Sequence, residues 1–347
     1  MSATRVTSIE VAKRAGVSQS AVSRAYTPGA PVSQKTAEKV RKAALELGYQ
    51  PNSLARSLIT GKSRIIGFIV AYLDNQFYPE SLQKLSARLA EEGYHMLIFT
   101  VYNEPEKVAK TVRELMTYQV DAIVAASVSL SNDLAARCKA GGVPMVLYNR
   151  SQDSDLFSSV TSDNLAGGRA VARHFAELGV ERPAYIAGWA EASTQRDREI
   201  GFRRGLEERG LKLFARGEGN FNYQQARAAA RSLFSPNKRI ERGERGELPD
   251  ALFVANDHMA FAAMDCLRHE LGLRIPEDVK VVGYDDVAIA SWPSYDLTSV
   301  RQPADQMVAT TVEALLQAIE NPDAPPTRIA IEGPLIVRGS TQKRESK

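Results

Sequence analysis

The feature that most constrains the fold is a repeated alternation between short apolar runs and longer amphipathic segments. The first apolar run covers residues 65–70, and the next segment, 79–92, carries Leu82, Leu85 and Leu89 at helical spacing. Strand-length runs that alternate with helices predict a parallel sheet covered by helices on both faces. Further strands are predicted at 95–99, 122–125, 144–148, 183–187, 251–254 and 279–284, and further helices at 106–117, 164–178, 197–209 and 257–271.

The alternation starts again after Asp163, which predicts two sheets and therefore two lobes. Ligands of open parallel sheets bind in the crevice at the carboxyl ends of the strands. In a two-lobed α/β domain this crevice lies between the lobes, and hinge motion closes it. We therefore expect the side chains that contact a ligand to follow the strands directly along the chain.

Residues 1–50 follow a different pattern, that of three short helices. Thr7 and Glu10 have the spacing of a capping box at the start of a first helix, and Gly16 can end that helix. Ser18 and Ser33 are placed to cap a second and a third helix. Two short helices joined by a tight turn, with a third helix behind them, form a helix-turn-helix domain.

The positive charge of the chain is concentrated at its N-terminus. The whole chain has a formal net charge of +3, but residues 1–62 contain ten Lys and Arg against three Glu, a charge of +7. The remaining residues carry 34 basic and 38 acidic side chains, a charge of −4. A basic module indicates a polyanion partner, and the alternative is a small three-helix bundle that binds protein. The helix spacing and the charge together favour DNA.

The second helix of such a domain enters the major groove with its N-terminal end first. Here that end carries Ser18, Gln19 and Ser20, with Arg24 one turn later. Gln pairs with adenine and Arg with guanine through two hydrogen bonds each, while Ser near a helix start contacts phosphate. The sequence therefore predicts base contacts by Gln19 and Arg24.

Several short runs in this part of the chain form a specific pattern: VTSIEVA at 6–12, AGVS at 15–18, VSR at 22–24, VS at 32–33, LGYQPN at 47–52 and ARSL at 55–58. They resemble the DNA-binding domain of the lactose-repressor (LacI/GalR) family of bacterial transcription regulators. The run AYTPG at 25–29 departs from the family, which usually has an Asn-Gly turn there, so the resemblance does not fix the path of this loop. The resemblance implies DNA contacts by Thr7, Ser18, Gln19, Ser20, Ser23, Arg24, Asn52, Ala55 and Leu58.

Residues 51–62 link the basic module to the body and resemble the hinge helix of the same family. A helix of about two turns is marginal in water and is ordered mainly when something packs on it. In the family, the hinge helices of a dimer pair over the minor groove, which implies that Leu58 wedges into a central base step beside Ala55. The free-energy cost of unstacking the bases is offset by the additional contacts that the bent DNA makes with the protein. The alternative is that Leu58 packs beneath the body.

The body resembles the periplasmic-binding-protein-like core of the same family in the runs DN at 163–164, GG at 167–168, GF at 201–202, AND at 255–257, GYDD at 283–286 and LTSVRQP at 297–303. The resemblance implies three crossings between the lobes, near residues 162, 294 and 325. The expected domains are 1–50 for DNA binding, 51–62 for the hinge and 63–347 for effector binding, with an N-lobe of 63–162 and 295–325 and a C-lobe of 163–294 and 326–341.

Polar and aromatic side chains that follow the predicted strands form the expected ligand site. With the family positions carried over by motif, the set is Asn75, Phe77, Asn149, Thr194, Arg198, Phe221, Asn256 and Asp285. Aromatic faces, a cation, amides and a carboxylate suit a hydroxyl-rich effector that is neutral or weakly acidic, such as a sugar. At Asn149 an acidic residue is common in relatives. The structural alternatives are a surface ion pair of Arg198, a core position for Phe221 and a capping role for Asp285.

The sequence carries no motif of the common enzyme classes. It contains no GxGxxG after a strand, no GxxxxGK[ST], no GxSxG and no HExxH, and His269-Glu270 lacks the second histidine of a zinc site. Cys138 and Cys266 lie far apart without CxxC spacing, so neither a disulfide framework nor a cysteine metal site is expected. We therefore predict no catalytic residue, no metal and no cofactor.

No apolar run approaches the ~18 residues that a membrane span needs, and the first residues lack the apolar core of a signal peptide. A cytoplasmic protein without membrane contact is therefore expected. A secreted solute-binding protein would share the two-lobed body. It would need a signal peptide, however, and would not carry residues 1–62.

These patterns together predict a homodimeric transcription regulator, a repressor, that binds a pseudo-palindromic operator in double-stranded DNA. A small sugar-like effector in the cleft favours one relative position of the lobes and thereby changes DNA binding. The effector can be an inducer or a corepressor, and a partner protein can take the place of a metabolite. Because the chain ends soon after a strand predicted at 334–337, without a leucine-heptad helix, we expect a dimer rather than a tetramer.

Overall fold

The computed structural model describes residues 6–27, 29–50, 62–71, 73–102, 104–128, 130–152, 156–235 and 247–342. The chain divides into two compact units, Met1–Ser63 and Arg64–Lys347. We call these units the headpiece and the body and describe each by itself. In neither unit is any described helix both long enough and apolar enough to cross a lipid bilayer.

The headpiece consists of three helices, α1 (Ser8–Ala15), α2 (Gln19–Ala25) and α3 (Gln34–Leu47). The predicted caps are confirmed, because the side chains of Thr7, Ser18 and Ser33 each accept a hydrogen bond from a backbone N–H in the first helical turn. Small apolar side chains from all three helices fill the core: Val11, Ala12, Val22, Val40, Ala43 and Ala44. The exposed polar side chains of α2 are therefore not needed for packing.

The N-lobe of the body is built on a six-stranded parallel sheet. Its strands are β1 (Ile65–Val70), β2 (His95–Thr100), β3 (Ala122–Ala126), β4 (Met145–Tyr148), β5 (Ser158–Ser162) and β11 (Arg328–Ile331), in the order β11-β5-β4-β3-β1-β2. Strands β1 and β3 lie inside the sheet and are buried on both faces, which explains their unbroken apolar sequences.

The C-lobe has a second six-stranded sheet of the same design. Its strands are β6 (Pro183–Ala187), β7 (Ala215–Glu218), β8 (Ala251–Val254), β9 (Lys280–Asp285), β10 (Thr298–Arg301) and β12 (Leu335–Ile336), in the order β12-β10-β9-β8-β6-β7. The β10–β12 pair is antiparallel and the other pairs are parallel. The carboxyl ends of β6, β7, β8 and β9 therefore meet at one edge of this sheet.

Helices cover the sheets as the alternation predicted. The N-lobe has α4 (Phe77–Glu91), α5 (Pro105–Thr117), α6 (Asn132–Ala140) and α11 (Ala304–Glu320). The C-lobe has α7 (Asn164–Glu177), α8 (Ser193–Glu207), α9 (Tyr223–Leu233) and α10 (Asp257–Asp265), which continues into a π-helical turn, Cys266–Glu270. In β1, Phe68 belongs to one apolar cluster with Leu85 of α4, whereas Ile69 belongs to another with Val112 of α5. The two clusters lie on opposite faces, because neighbouring strand residues point in opposite directions.

Two helices of the C-lobe approach each other closely enough to require glycine. A Cβ atom on Gly168 of α7 would lie 2.3 Å from the carbonyl oxygen of Arg198, and one on Gly201 of α8 would lie 2.2 Å from that of Leu165. The two helix backbones are therefore in direct contact. This contact fixes the start of α8, from which two of the predicted ligand-contacting side chains project.

The chain crosses between the lobes after β5, between β10 and α11, and between β11 and β12. Because β10 pairs with β9, residues 298–301 belong to the C-lobe sheet. Because β11 pairs with β5, residues 328–331 belong to the N-lobe sheet. The predicted boundaries at 294 and 325 are therefore wrong. The sheet that a short strand joins is decided by long-range pairing, which the local sequence does not contain.

Several elements differ from the sequence prediction. Strands β1, β6 and β8 have the predicted bounds, but α8 starts at Ser193, earlier than the predicted start at 197. The predicted helix 257–271 is α-helical only to Asp265. Strands β5, β7, β10 and β11 and helices α6, α9 and α11 were not predicted.

Candidate functional site

The side chains predicted to contact DNA lie exposed at the start of α2 and along it: Ser18, Gln19, Ser20, Ser23 and Arg24. Ser18 Oγ accepts a hydrogen bond from the backbone N–H of Ala21 at 3.2 Å and so caps the helix. Gln19 Nε2 donates to Ser8 Oγ at 3.0 Å, and Arg24 Nε donates to the Ser20 carbonyl at 3.3 Å. These contacts are exposed, so the donors are accessible to a partner on this surface.

Thr7 differs from the other predicted DNA contacts, because its side chain is hydrogen-bonded in a capping box at the start of α1. Its backbone N–H and its Oγ1 both donate to Glu10 Oε2, at 2.7 and 2.9 Å, and the Glu10 N–H donates back to Oγ1 at 3.4 Å. These hydrogen bonds lower the pKa of the Glu10 carboxyl. Thr7 therefore fixes the start of α1. The predicted contacts Asn52, Ala55 and Leu58 lie outside the described residues.

A pocket that is partly open to solvent lies between the two lobes of the body. Its walls come from the carboxyl ends of strands in both sheets and from the start of α8, as expected for this kind of fold. The lining residues are Asp74, Asn75, Tyr78, Asn149, Arg150, Thr194, Arg198, Phe221, Asn256 and Asp285. All but one of the predicted ligand-contacting residues are therefore brought together here.

Arg198 is the most heavily constrained side chain of the pocket, and it is only 2% exposed. Its Nε donates to Asn164 Oδ1 at 2.8 Å, and its Nη1 donates to the Ala255 carbonyl at 2.5 Å. Its guanidinium lies 3.6 Å from the centre of the Tyr284 ring. This burial rules out the alternative of a surface ion pair, and it leaves the Nη2 edge toward the pocket.

Asp285 lies opposite that edge and connects the two lobes. Its Oδ1 is 3.6 Å from Arg198 Nη2 and accepts a hydrogen bond from Gln302 at 2.7 Å. Its Oδ2 accepts a hydrogen bond at 3.0 Å from Asn75 Nδ2, which belongs to the N-lobe. Burial raises the pKa of the Asp285 carboxyl, while Arg198, Asn75 and Gln302 oppose that rise. The carboxylate therefore contacts both lobes and both sides of the pocket.

A second carboxyl, Asp257, lies just behind the pocket wall in the first turn of α10. Ser299 Oγ donates to its Oδ1 at 2.6 Å, and the Val287 N–H donates to its Oδ2 at 3.0 Å. Complete burial, together with the nearby charge of Asp285, raises the pKa of Asp257 to about 8. Burial therefore favours the neutral form of Asp257, whereas Arg198, Asn75 and Gln302 favour the charged form of Asp285.

Tyr78, Asn149 and Ser127 form a buried hydrogen-bonded group on the N-lobe side of the pocket. The Tyr78 hydroxyl accepts from Asn149 Nδ2 at 2.8 Å and is hydrogen-bonded to Ser127 Oγ. Asn149 Oδ1 is buried and has no hydrogen-bond partner among the described residues. An acceptor held in this way suits a ligand that presents a hydroxyl or an N–H group.

Phe221 provides an aromatic face on the C-lobe side, and the space that its ring occupies depends on Gly188. A Cβ atom on Gly188 would lie within 2.2 Å of the Phe221 ring, so any larger residue would push the ring into the pocket. Phe221 itself has a φ of 57°, in the left-handed region. Its half-buried position at the pocket argues against a plain core role.

The remaining predicted residues, Thr194 and Asn256, reach the pocket from the starts of two helices. Thr194 lies in the first turn of α8 and is buried. Asn256 caps α10, since its Oδ1 accepts a hydrogen bond from the Met259 N–H at 3.0 Å. The Asn256 Nδ2 edge is therefore the polar group that this residue offers to a ligand.

Phe77 is not part of the lining of this pocket, and its contact with a ligand stays a prediction. Helix α4 begins at Phe77 and turns this side chain inward, where its ring stacks 6.1 Å from that of Tyr148. The next residue, Tyr78, lines the pocket instead, together with Asp74 and Arg150. All three follow a predicted strand closely, with Tyr78 in the first turn of α4, so the strand-end rule could have included them.

The described residues offer little for metal or thiol chemistry. Among them, no group of three or more His, Cys, Asp and Glu side chains is arranged to hold a metal ion. Burial raises the pKa of Cys138 and of Cys266 to about 11, so neither thiol is a nucleophilic thiolate at neutral pH.

Comparison with known proteins connects the headpiece and the body to one family. A model described as bacterial regulatory proteins, lacI family, matches residues 9–52, and a model of a periplasmic binding protein-like domain matches residues 172–341. The HTH-type transcriptional repressor PurR of Vibrio atlanticus (strain LGP32) is 32% identical over 339 residues, which cover 96% of this chain and 98% of that protein. The chain belongs to the LacI family of bacterial regulatory proteins.

Other members of the LacI family are similar over nearly the same length. The sucrose operon repressor of Streptococcus mutans serotype c (strain ATCC 700610 / UA159) is 30% identical over 316 residues, or 91% of this chain and 93% of that protein. The structure of the Lac repressor dimer bound to operator and the anti-inducer ONPF superposes with a TM-score of 0.84 at 27% identity, covering 97% of this chain and 99% of that one. A complex of the transcriptional regulator CelR with cellobiose has a TM-score of 0.71 at 30% identity, covering 97% and 100%.

Membership of the LacI family confirms the fold class that the sequence predicted. The helix-turn-helix headpiece and the two-lobed α/β body correspond to the two matched domain models. The C-lobe side of the pocket, with Thr194, Arg198 and Asp285, lies within the residues that the periplasmic binding protein-like model matches. The individual contacts with DNA and with an effector stay predictions.

Proposed function

We propose that this LacI-family protein is a transcriptional repressor that binds a pseudo-palindromic operator as a homodimer and responds to a small effector in the interlobe pocket. The observation that carries the proposal is the exposed start of α2, where Ser18, Gln19 and Ser20 stand on a packed three-helix headpiece. The charge of +7 on residues 1–62 provides the attraction to phosphate. The relatives named PurR and sucrose operon repressor support the same role.

The proposed DNA contacts combine base readout with positioning on the backbone. Gln19 and Arg24 read base edges in the major groove, while Ser18, Ser20 and Ser23 contact phosphates. Thr7 contributes by fixing the start of α1. Residues 51–62 form the hinge, in which Asn52 and Ala55 accompany Leu58 at the central base step, so that the dimer bends its operator.

The proposed effector is a hydroxyl-rich molecule of sugar-like chemistry. Arg198 Nη2, the Asp285 carboxylate and the free acceptor Asn149 Oδ1 converge on one space beside the aromatic face of Phe221. Polar groups in several directions and an apolar wall are typical of sites that hold polyhydroxylated ligands. Binding alters operator affinity by favouring one relative position of the lobes. The protein acts in this way as a cytoplasmic regulator and not as an enzyme.

The direct test of DNA recognition is selection of bound duplexes from a random pool by the full-length protein. A dimer with one headpiece on each half-site should enrich a two-fold symmetric motif. The affinity for the selected duplex should fall steeply with salt, because basic side chains displace counterions from the phosphates. A pool that remains random after selection, or a binding constant that does not change with salt, would contradict the proposal.

A further inference from the structure

Arg150 is a pocket residue that the sequence did not assign to the ligand set, and it is only 7% exposed. It follows β4 of the N-lobe. Its Nη1 donates a hydrogen bond at 3.0 Å to the carbonyl oxygen of Ser127, which follows β3 of the same lobe. The base of this side chain and one edge of its guanidinium are thus fixed to the N-lobe.

The same guanidinium also lies over two aromatic rings of the opposite lobe. Its Cζ lies 5.7 Å from the centre of the Trp189 ring and 5.9 Å from that of the Phe221 ring. Trp189 follows β6 and Phe221 follows β7, so both rings belong to the C-lobe. A cation within about 6 Å of an aromatic centroid is attracted by the ring, and more strongly where water is excluded.

A neighbouring hydrogen bond spans the same gap. The backbone N–H of Ser151, next to Arg150, donates to Ser193 Oγ in the first turn of α8 at 3.0 Å. The segment after β4 therefore bridges the lobes at two adjacent points. One bridge uses the side chain of Arg150, and the other joins the backbone of Ser151 to the side chain of Ser193.

We propose that Arg150 stabilises the closed arrangement of the lobes over the pocket, and that an effector enters when the Arg150 guanidinium leaves the Trp189 and Phe221 rings. Arg150 then sets the resting balance between open and closed lobes. A group that stabilises only the closed arrangement must shift this balance. The effect of Arg150 on DNA binding rests on the proposed function, whereas its contact between the lobes does not.

The two contacts require an arginine at this position, because the same guanidinium must donate a hydrogen bond and lie over aromatic rings. Guanidinium Nη1 donates to the Ser127 carbonyl while Cζ of the same group lies over both rings. A lysine ammonium keeps the charge but has no flat face and no fixed fork of donors. Arg150→Lys should therefore weaken the contact, and the uncharged Arg150→Gln should abolish it.

The test uses Trp189 as its own reporter. The chain has two tryptophans, so Trp292→Phe leaves Trp189 as the only one in the full-length protein. Quenching of its fluorescence by acrylamide, without any effector, measures how far the indole is exposed. Arg150→Gln should raise the quenching constant by about threefold, the change in lobe balance expected for one partly desolvated cation–π contact. Arg150→Lys should fall between this value and that of the parent.

The matched control is Arg137→Gln, which removes an exposed arginine of the N-lobe whose partner is Asp133. It should leave quenching unchanged. Equal quenching in the parent and Arg150→Gln overturns the proposal. If Arg150→Gln does not fold, Arg150→Lys decides alone, because unchanged quenching there also overturns it. Operator binding by the parent is measured separately, so its loss would contradict the proposed function without touching the lobe contact.

Discussion

At the scale of single residues, the pocket depends on backbone conformations that are unfavourable for side chains with a Cβ atom. Asn149 has a φ of 68°, Phe221 of 57° and Asp285 of 124°. Such conformations cost free energy and persist where the surrounding structure holds them, often at functional sites. Here each follows or ends a strand, and the strain points its side chain into the pocket. The sequence predicted the ends of β4 and β9 to within one residue, but it predicted neither β7 nor these local conformations.

Asp257→Asn should change how stability depends on pH. Since burial raises the pKa of Asp257 to about 8, the folded protein binds this proton more tightly than the unfolded chain does. Asp257 therefore contributes stability at low pH that is lost as pH rises toward 8, by up to about 1.4 kcal/mol per pH unit. The free energy of unfolding of the wild type minus that of Asp257→Asn should decrease from pH 5 to pH 8.

The comparison with Asp257→Asn is needed because other groups act in the opposite direction. Burial lowers the pKa of His174 and of His258, so both cost stability as pH falls below about 6.5. They contribute equally in the wild type and the variant. A difference between the two proteins that stays constant across this range would show that Asp257 is not protonated in the folded state.

Gln19→Ala should weaken operator binding without weakening the headpiece. Gln19 is exposed, and its hydrogen bond to Ser8 Oγ is exposed as well. Loss of a base contact costs about 1–3 kcal/mol, which lowers the affinity by about 5-fold to 150-fold. Ser33→Ala is the matched control, because it removes the cap of α3 and should lower headpiece stability by about 1 kcal/mol. Equal operator affinities for the wild type and Gln19→Ala would exclude Gln19 as a base contact.

At the scale of helices and strands, the sequence predicted the class of the fold better than its connections. Apolar runs identified β1, β6 and β8 because these strands are buried on both faces. Strand β7, with the sequence ARGE, lies at a sheet edge and has no apolar run. Helix α11 did carry a signal, since Val308, Val312 and Leu315 recur at helical spacing and are buried.

The sequence likewise predicted most, but not all, of the residues that line the pocket. The rule that ligands meet strand ends located the correct loops, and the family motifs identified Arg198 and Asp285. The choice between Phe77 and Tyr78 was not predictable, because it depends on the residue at which α4 begins. Only the structure shows that Arg150 faces the opposite lobe, since its two aromatic partners are distant in sequence.

Gly201→Ala should destabilise the body although alanine is the better helix former. The added Cβ would lie 2.2 Å from the Leu165 carbonyl oxygen, so α7 and α8 must separate. We expect a loss of about 1–3 kcal/mol, more than the gain in helix propensity. Chemical denaturation measures it, with the exposed Arg204→Ala in the same helix as a control that should be nearly neutral. A neutral or stabilising Gly201→Ala would show that the helices can move apart freely.

At the scale of the whole molecule, binding to a two-fold symmetric operator requires two copies of the chain. A pseudo-palindromic operator presents the same half-site twice, so a two-fold symmetric dimer can place one headpiece on each. Sedimentation equilibrium of the full-length protein should give twice the chain mass of 38.0 kDa. A species of 38.0 kDa at the concentrations used for operator binding would contradict the dimer.

The distribution of charge agrees with DNA binding by the headpiece and effector binding by the body. The N-terminal 62 residues carry +7 and the rest of the chain −4, so attraction to DNA is confined to the part that is proposed to bind it. The body contributes a pocket whose two walls belong to different lobes. In the proposed function, a ligand that binds both walls changes the relative position of the lobes and thereby the affinity of the headpieces for the operator.

The most direct test of this coupling is the operator affinity of the full-length protein with and without its effector. A thermal-shift screen of sugars, sugar acids and nucleobases first identifies a compound that stabilises the folded protein. At saturating concentration, that compound should change the operator dissociation constant by at least about fivefold, the lower end of typical coupling between two sites. The same dissociation constant with and without the saturating compound would contradict the claim that the interlobe pocket controls DNA binding.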